Sequence, residues 1–295
     1  MAESHPRERL LTALSQNGRA SLEALARSTD LPTAVVRQCL RELADTGVQI
    51  RGIVHPSVFG QHALAHVLID PTRSAAATID VLMEMPEIPY ITRVAGEFSI
   101  AAEVRVADRA ALARMIETIT AMPEVRRLHF DEYGDIVKDA MVRMHGTGKL
   151  SLSPTDRILL RELQRDGRAP YAALAREVDL TTAAARARVL RLIESGVIHI
   201  GIRTKSGDGM VQVGFGLFGT PSNRVVEALL PRASIEYLAT SIGRSNVIGT
   251  IRASSLGAVS QELDAIQAVP GVSNVSSWTH LEIAKEHYET GDPTA

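Results

Sequence analysis

The chain contains few of the features that mark secreted, disulfide-bonded or membrane proteins. It has a single cysteine, Cys39, among 295 residues, which excludes an internal disulfide and a multi-cysteine metal site. No apolar run approaches the roughly 20 residues of a membrane-spanning helix. The N-terminal segment MAESHPRERLL lacks the basic and then apolar layout of a secretory signal. We therefore expect a cytoplasmic protein that makes no membrane contact.

The chain as a whole also has little net charge, with a formal value of −2. The distribution along the chain is less even. Residues 150–205 hold ten Lys and Arg against six Asp and Glu, whereas residues 1–54 hold seven against six. These excesses of four and one positive charges leave seven net negative charges elsewhere. A basic segment inside an acidic chain is typical of a local nucleic-acid-binding surface.

Sequence motifs of catalysis are missing as well. The chain has no Gly-rich phosphate loop, no catalytic triad and no acid pair that we recognise. His62 and His66 are four residues apart on a predicted strand, but no carboxylate or cysteine accompanies them, so edge-strand polarity explains them better than a metal. These absences predict that the protein is not an enzyme and needs neither a metal nor a cofactor.

A long internal repeat is present instead. The segment NGRASLEALARSTDLPTAVVRQCLRELADTGVQIRGI (17–53) aligns with DGRAPYAALAREVDLTTAAARARVLRLIESGVIHIGI (166–202) at a constant offset of 149 residues. Because a period of this length is far too long for a solenoid, it indicates that a unit with several elements occurs twice.

Each repeated segment predicts three helices followed by a strand. In the second copy, SPTD (153–156) offers Ser153 as N-cap and Pro154 as the first helical residue. In the third helix, Ala185, Val189, Leu192 and Ile193 recur at helical spacing and form its buried face. The following VIHIGIRT predicts a strand and hairpin. Together these elements predict a winged helix-turn-helix.

A second pattern follows each copy. Alternating apolar segments and helical stretches occur in the order βαββαβ, which is typical of a ferredoxin-like domain. The predicted fold class is therefore α+β, with two winged helix-turn-helix domains alternating with two βαββαβ domains. The predicted boundaries are 1–55 and 150–205 for the helix-turn-helix domains, and 60–145 and 208–290 for the βαββαβ domains.

This order of domains resembles the Lrp/AsnC family of transcription regulators, in a tandem form. The most specific part is LSPTDRILLRELQRDGRAPYAALAREVDLTTAAARARVLRLIESGVI, which is similar to the family's helix-turn-helix over its whole length. The resemblance implies a DNA-binding regulator whose βαββαβ domains, called RAM domains, sense a small molecule and assemble into oligomers.

For the second copy, the resemblance implies contact with double-stranded DNA through the third helix, its N-terminus and the wing. The expected DNA-binding residues are Thr181, Thr182, Arg186, Arg188, Arg191 and Arg203. Of these, Arg188 matches the most regular arginine of the family and offers a second role as a brace, and the two threonines offer a second role as caps. In the first copy Cys39 occupies the position of Arg188, so we expect only weak DNA contact there.

The resemblance also implies an effector pocket at the turns between the central strands of the RAM domains, with an amino acid or another small molecule as ligand. The corresponding residues are Gly96, Gly243 and Asn246. The family commonly has a glycine-acid-x-aspartate turn, whereas the two turns here are GEFS (96–99) and GRSN (243–246). The aspartate is missing from both.

Assembly and two alternatives complete the predictions. We expect the two RAM-type sheets to pack as a pseudo-dimer and the chain to form a homodimer with two second-copy helix-turn-helix domains on a two-fold axis. Siroheme decarboxylases have the same domain plan, and the segments around His55 and His199 resemble their basic, histidine-containing run faintly. A ligand sensor that has lost DNA binding is the other alternative.

Overall fold

The computed structural model describes residues 6–45, 47–139, 142–143, 152–204, 210–219 and 223–288. In the first half of the chain the elements are α1 (Pro6–Gln16), α2 (Leu22–Thr29), α3 (Thr33–Asp45), β1 (Val48–Val54), β2 (Ala63–Pro71), α4 (Ala75–Met83), β3 (Tyr90–Ala95), β4 (Ile100–Val106), α5 (Arg109–Thr120), β5 (Val125–Asp139) and β6 (Val142–Arg143), with a 3-10 turn at Pro56–Phe59. In the second half they are α6 (Pro154–Arg165), α7 (Tyr171–Glu177), α8 (Thr182–Glu194), β7 (Ile198–Thr204), β8 (Val211–Gly219), α9 (Asn223–Leu229), β9 (Ile235–Ile242), β10 (Val247–Ala253), α10 (Leu256–Gln267) and β11 (Val272–Glu286).

These elements form two compact units. The helix-turn-helix unit contains the described residues before 56 and those of 152–204, and the sheet unit contains the described residues of 56–143 and 210–288. The predicted α+β fold class is confirmed, since each three-helix segment with its strand is followed by a βαββαβ segment. Among the helices of the described ranges, none is long and apolar enough to cross a bilayer.

Local capping explains where the helices of the helix-turn-helix unit begin and end. Ser153 and Asp156 form a reciprocal capping box at the start of α6, with Pro154 at the first helical position. The turns before the third helices contain Asp30 and Asp179, which lie at equivalent positions and have φ values of 50° and 51°. Aspartate tolerates this left-handed conformation better than most residues, because its short side chain bonds locally. The repeat is therefore preserved in backbone geometry as well as in sequence.

The strands that follow the two helix-turn-helix segments pair with each other. β1 and β7 are antiparallel over seven residues, from Val48 opposite Thr204 to Val54 opposite Ile198. The predicted wing hairpin within the second copy is therefore wrong for the described residues of β7. An isolated strand leaves a row of unpaired N–H and C=O groups, and the equivalent strand of the other copy satisfies them. β1 contacts α6 and β7 contacts α1, so each strand packs on the other copy.

The sheet unit contains two ferredoxin-like sheets. In the first copy β2 pairs with β4 and β5, and β4 pairs with β3. In the second copy β8 pairs with β10 and β11, and β10 pairs with β9. In both copies the fourth strand lies beside the first and the second strand lies at the far edge, as the βαββαβ pattern predicts.

Two seams join these sheets into a closed ring of eight strands. The fourth strand of each copy runs past its own sheet and pairs with the second strand of the other, as β5 with β9 and β11 with β3. Both fourth strands are 15 residues long, which gives each enough length to pair with strands of both copies. Closure leaves neither sheet with an open edge among these eight strands.

Three apolar clusters lie in the described part of the sheet unit. In the first copy, helices α4 and α5 cover one face of the sheet around Ile69, Leu82 and Ile100. Helices α9 and α10 do the same in the second copy around Phe215 and Leu229. The third cluster combines residues of both copies from the opposite faces: Leu64, Leu68, Val94, Phe98, Ala101, Tyr133, Ile136, Ala239, Ile248 and Trp278. The two sheets therefore share one core.

Two lysines fasten the seams. Lys138 on β5 donates from Nζ to the carbonyl oxygens of Leu230 (3.1 Å) and Arg232 (2.8 Å), which follow α9 of the second copy. Lys285 on β11 donates to the carbonyls of Met83 (2.9 Å) and Met85 (2.7 Å) at the end of α4 in the first copy. A lysine at the C-terminus of a helix satisfies carbonyls that lack an intrahelical partner and interacts favourably with the helix dipole. The arrangement is reciprocal.

We predict that Lys138→Met lowers the free energy of unfolding by about 2 kcal/mol, because it leaves two helix-end carbonyls without their donor. Lys138 is only 4% exposed, so water replaces the ammonium group poorly. Urea denaturation of the full chain measures the effect, and Arg114→Ala, on the exposed side of α5, is the control. Equal stability of the two variants would contradict the proposed fastening role.

Candidate functional site

The third helix of the second copy, α8, combines a buried apolar face with an exposed face. Ala185, Val189 and Leu192 are buried, as predicted, whereas Ile193 is only half-buried. The hydroxyl of Thr181 caps the helix by accepting a hydrogen bond from the N–H of Ala184 (3.2 Å). Thr182, the first helical residue, is exposed beside the cap. The N-terminus of α8 therefore faces solvent with its cap already formed.

Arg186 lies on the exposed face of α8, one turn from its N-terminus. Within the described part of the chain, its guanidinium forms neither an ion pair nor a side-chain hydrogen bond. Its five N–H donors are therefore available to a partner outside the protein.

Arg188 and Arg191 are instead bound within the helix-turn-helix unit. Both guanidinium groups donate to the carboxylate of Asp156 at the start of α6, at 3.0 Å from Arg188 and 2.9 Å from Arg191. Asp156 is 1% exposed, whereas the two arginine side chains are 36% and 51% exposed. The carboxylate also accepts from the hydroxyl and the N–H of Ser153. The two arginines thus brace α8 against α6, and Arg186 differs from them in having its donors free.

The environment of Asp156 has an electrostatic consequence. Burial by itself raises the pKa of its carboxyl group, but hydrogen bonds from Ser153, Arg188 and Arg191 outweigh burial and hold the pKa below its ordinary value of 3.8. A lowered folded-state pKa stabilises the protein at pH values above the ordinary value, and this stabilisation is lost as the pH falls through the folded-state pKa.

We predict that Asp156→Asn lowers the free energy of unfolding by about 2 kcal/mol at neutral pH, because it breaks a buried carboxylate's pairing with two half-exposed arginines. Urea denaturation at a series of pH values measures this. The difference between wild type and variant should shrink as the pH falls below 3.8. A difference that stays constant down to acid pH would contradict the role of the charge.

The remaining predicted DNA-contacting residues are less informative. Arg203 lies on β7 opposite Gln49, and its side chain is outside the described residues. In the first copy, Arg37 and Arg41 are exposed on α3. Gln38 donates to the carboxylate of Glu42 (2.9 Å). Cys39 is buried in the core of its domain, as its apolar character suggests.

A pocket in the sheet unit lies beside the two turns predicted to bind an effector. A side chain at position 96 would be crowded, because a Cβ on Gly96 would lie 3.1 Å from the Cβ of Trp278. Gly243 approaches Asp131 so closely that a Cβ would collide with its carboxylate. None of the predicted residues Gly96, Gly243 and Asn246 lines the pocket, and the side-chain oxygen of Asn246 instead accepts from the N–H of Gly219 (3.1 Å). The pocket is lined by Leu68, Glu97, Phe98, His129, Asp131, Arg244, Ser245, Ser276, Ser277 and Trp278.

The charged groups of this pocket come from both copies. Asp131, which is 2% exposed, accepts the N–H of Ser245 (2.8 Å) through Oδ1. Its Oδ2 lies 3.5 Å from His129 Nε2, a buried nitrogen without a hydrogen-bond partner. Glu97 and Arg244 form an ion pair of 2.7 Å across the two turns. Sequence reasoning missed Asp131, which is 112 residues from the second turn and approaches it only because β5 crosses a seam.

The interior next to the pocket contains buried histidines. His66 stacks on Trp278 with ring centroids 5.0 Å apart. Burial first, and then the nearby His280 and His129, lower the pKa of His66 to about 3. The described residues contain no cluster of three or more ligating side chains. His66 is therefore a buried packing residue and not the edge-strand polar residue that the sequence predicts.

Comparison with known families identifies both kinds of domain. The model of winged helix-turn-helix DNA-binding domains matches residues 5–48 and 152–199, and that of the Lrp/AsnC ligand-binding domain matches residues 62–131. The DNA-binding transcriptional activator DecR of Escherichia coli K12 is 33% identical over 106 residues, which are 34% of this chain and 70% of DecR. The chain belongs to the Lrp/AsnC family. The resemblance inferred from the sequence is confirmed at this level.

The matches differ in how much of each relative they cover. An HTH-type transcriptional regulator of Pyrococcus abyssi is 43% identical over 59 residues, or 20% of this chain and 37% of that protein. The match to this relative therefore spans little more than a third of its length.

A solved structure matches nearly the whole chain. The siroheme decarboxylase NirDL superposes on 96% of this chain and 94% of its own, with a TM-score of 0.65 and 10% sequence identity. At this identity the likeness shows the fold alone. It nevertheless overturns the prediction that the chain is not an enzyme, which is wrong because an enzyme has the same arrangement of domains. The absence of a known catalytic motif excludes only those reactions that require the motif. One fold also hosts several functions.

Proposed function

We propose that the chain is a sequence-specific transcriptional regulator of the Lrp/AsnC type that contacts DNA through α8. The observation that supports this most directly is Arg186, whose donors are exposed and free on the third helix of a winged helix-turn-helix. Such a helix enters the major groove, where arginine bonds guanine with two parallel hydrogen bonds. The excess of four positive charges in residues 150–205 supplies attraction to phosphate.

Other contacts follow from the same geometry. Thr182 and the free N–H groups at the start of α8 suit a phosphate, because a helix N-terminus attracts anions. Thr181 contributes as the cap of that helix end, and Arg203 is the candidate of β7 for the DNA backbone. Arg188 and Arg191 act mainly by positioning α8 through Asp156. Within this proposal, Arg186 specifies sequence and the others set orientation and affinity.

We predict that Arg186→Ala weakens binding to the chain's own upstream DNA by about 5- to 100-fold, the loss expected for one bidentate base contact. Fluorescence anisotropy over a range of salt concentrations measures it, with Arg114→Ala as control. The wild-type affinity should fall steeply with salt. Equal and weak binding of any DNA by all three proteins would rule out the regulator and favour a sensor that does not bind DNA.

We infer further that a single chain combines, by duplication, what other family members obtain from two subunits. Support comes from the constant offset of 149 residues, from the pairing of β1 with β7, and from the reciprocal lysines of the seams. The proposed domains remain 1–55, 60–145, 150–205 and 208–290. Association of such chains into a homo-oligomer belongs to the same proposal, and light scattering on the eluting protein tests it.

The pocket of the sheet unit is our proposed effector site, with an amino acid or a similar small amine as ligand. Asp131 offers a buried carboxylate for an ammonium group, and Arg244 offers a guanidinium for a carboxylate. Asp131 would take the place of the aspartate that both turns lack. The aromatic side chains of Phe98 and Trp278 offer an apolar wall for the rest of the ligand.

We predict that Asp131→Asn weakens binding of an amino-acid effector by about 10- to 100-fold, because it removes a charged acceptor while an amide oxygen still bonds Ser245. Thermal shift of the full chain with each of the twenty amino acids finds the ligand, and titration calorimetry measures the loss. Arg224→Ala, exposed on α9, is the control. A ligand that binds both variants equally would place the effector elsewhere.

A second candidate function is decarboxylation of siroheme, which the fold match over 96% of the chain favours. His199 is engaged in the described structure, since its Nε2 lies 2.6 Å from the carbonyl oxygen of Ser15. His55 is buried at 9% exposure. Anaerobic incubation with siroheme decides the matter: release of carbon dioxide with a change in the visible spectrum would establish the enzyme, and an unchanged spectrum would remove it.

A further inference from the structure

The two helix-turn-helix domains of this chain are held together by a pseudo-two-fold set of backbone contacts. The paired strands β1 and β7 place Arg51 opposite Gly201 at their centre. On either side of this centre, the N–H of Gly18 donates to Ile200 (2.7 Å) and the N–H of Gly167 donates to Ile50 (2.9 Å). Gly18 and Gly167 occupy the same position of the repeat. The two domains therefore have one defined relative placement.

Two arginines at another repeated position add to this connection. Arg19 donates to the carbonyls of Gly167 (2.7 Å) and Ala169 (2.9 Å), and its guanidinium lies 4.5 Å from the ring centroid of Tyr171. Its equivalent, Arg168, donates to the carbonyl of Ala20 in the first copy. These bonds cross between the copies in both directions. They leave little freedom for one helix-turn-helix to move against the other.

The third helices are equivalent elements of this paired unit. Both α3 and α8 have 13 residues, and the offset of 149 relates their ends. Arg37 and Arg186 occupy the same position on these helices, and both are exposed. The first copy therefore retains the one arginine that the second copy offers to DNA.

The residues around the shared arginine differ between the helices. Gln38 corresponds to Ala187, and Arg41 to Leu190. Gln38, Arg41 and Ala187 are exposed, so the difference lies on the accessible faces. Glutamine pairs with adenine and arginine with guanine, whereas alanine contacts the thymine methyl group. The two helices therefore offer different patterns of base contacts.

We propose that one chain recognises an asymmetric operator made of two unlike half-sites, one contacted by α3 and the other by α8. This inference rests on the proposed DNA-binding function and extends it. In a homodimer of identical subunits the two helices are identical, and the preferred operator is palindromic. Duplication within one chain removes that constraint, and the residues at positions 38 and 41 differ from their equivalents in α8. The first copy is then a second DNA-binding domain of different specificity.

The test is selection of bound duplexes from a random pool by the full-length protein, followed by sequencing. We expect two half-sites of unlike sequence for each bound chain, also where a homo-oligomer repeats this pair about a two-fold axis. Arg37→Ala should erase preference at one half and Arg186→Ala at the other, each with about a 5- to 100-fold loss of affinity for the selected duplex. Arg114→Ala should leave both halves intact.

A variant of α3 that resembles α8 more closely provides a sharper test of the inference. The double substitution Gln38→Ala with Arg41→Leu gives α3 the residues of α8 at these two positions, so the half-site that α3 selects should become more like that of α8. Two identical half-sites for each bound chain, or a motif that Arg37→Ala leaves unchanged, would overturn the inference and leave the regulator intact. Indiscriminate weak binding by every variant would instead overturn the proposed DNA-binding function itself.

Discussion

The structure of this chain depends on the need of every strand edge for a hydrogen-bonding partner. A βαββαβ sheet on its own exposes two edges, and an exposed edge pairs with other chains. Here the fourth strand of each copy pairs with the edge strand of the other, so that eight strands close. The lysines at 138 and 285 then bind helix ends across both seams. The same requirement acts on β1 and β7, which satisfy each other in the helix-turn-helix unit.

Duplication within one chain permits side-chain pairs that two identical subunits cannot form. Glu97 and Arg244 occupy equivalent turns and bind each other at 2.7 Å. In a homodimer, the same position would bring together two glutamates or two arginines, which repel. The buried Asp131 is likewise present in one copy only, because Trp278 stands at the equivalent place in β11. The two copies have therefore diverged where they meet, and the pocket takes its charged residues unequally from them.

Neighbouring arginines on one helix have different roles because of a residue outside that helix. Arg186, Arg188 and Arg191 have the same side chain and lie within two turns of α8. Asp156 at the start of α6 binds the second and third of them, and the first remains free. In the first copy, Arg7 stands at the position of Asp156, and Cys39 and Glu42 replace the two bracing arginines. Each copy thus has its own way of holding its third helix, while the exposed arginine is common to both.

The sequence alone determined the repeat, the order of helices and strands, the buried face of α8 and the family. These follow from local periodicity, caps and an ordered match of residues, all of which act over short distances along the chain. It predicted the turns at Gly96 and Gly243 next to a pocket, but it missed Asp131 and misjudged His66. Tertiary structure alone decided which strand pairs β1, where the fourth strands end, and which arginines are bound. These depend on contacts between residues that are distant along the chain, from 32 positions for Arg188 and Asp156 to more than a hundred for β1 and β7, and no local pattern encodes them.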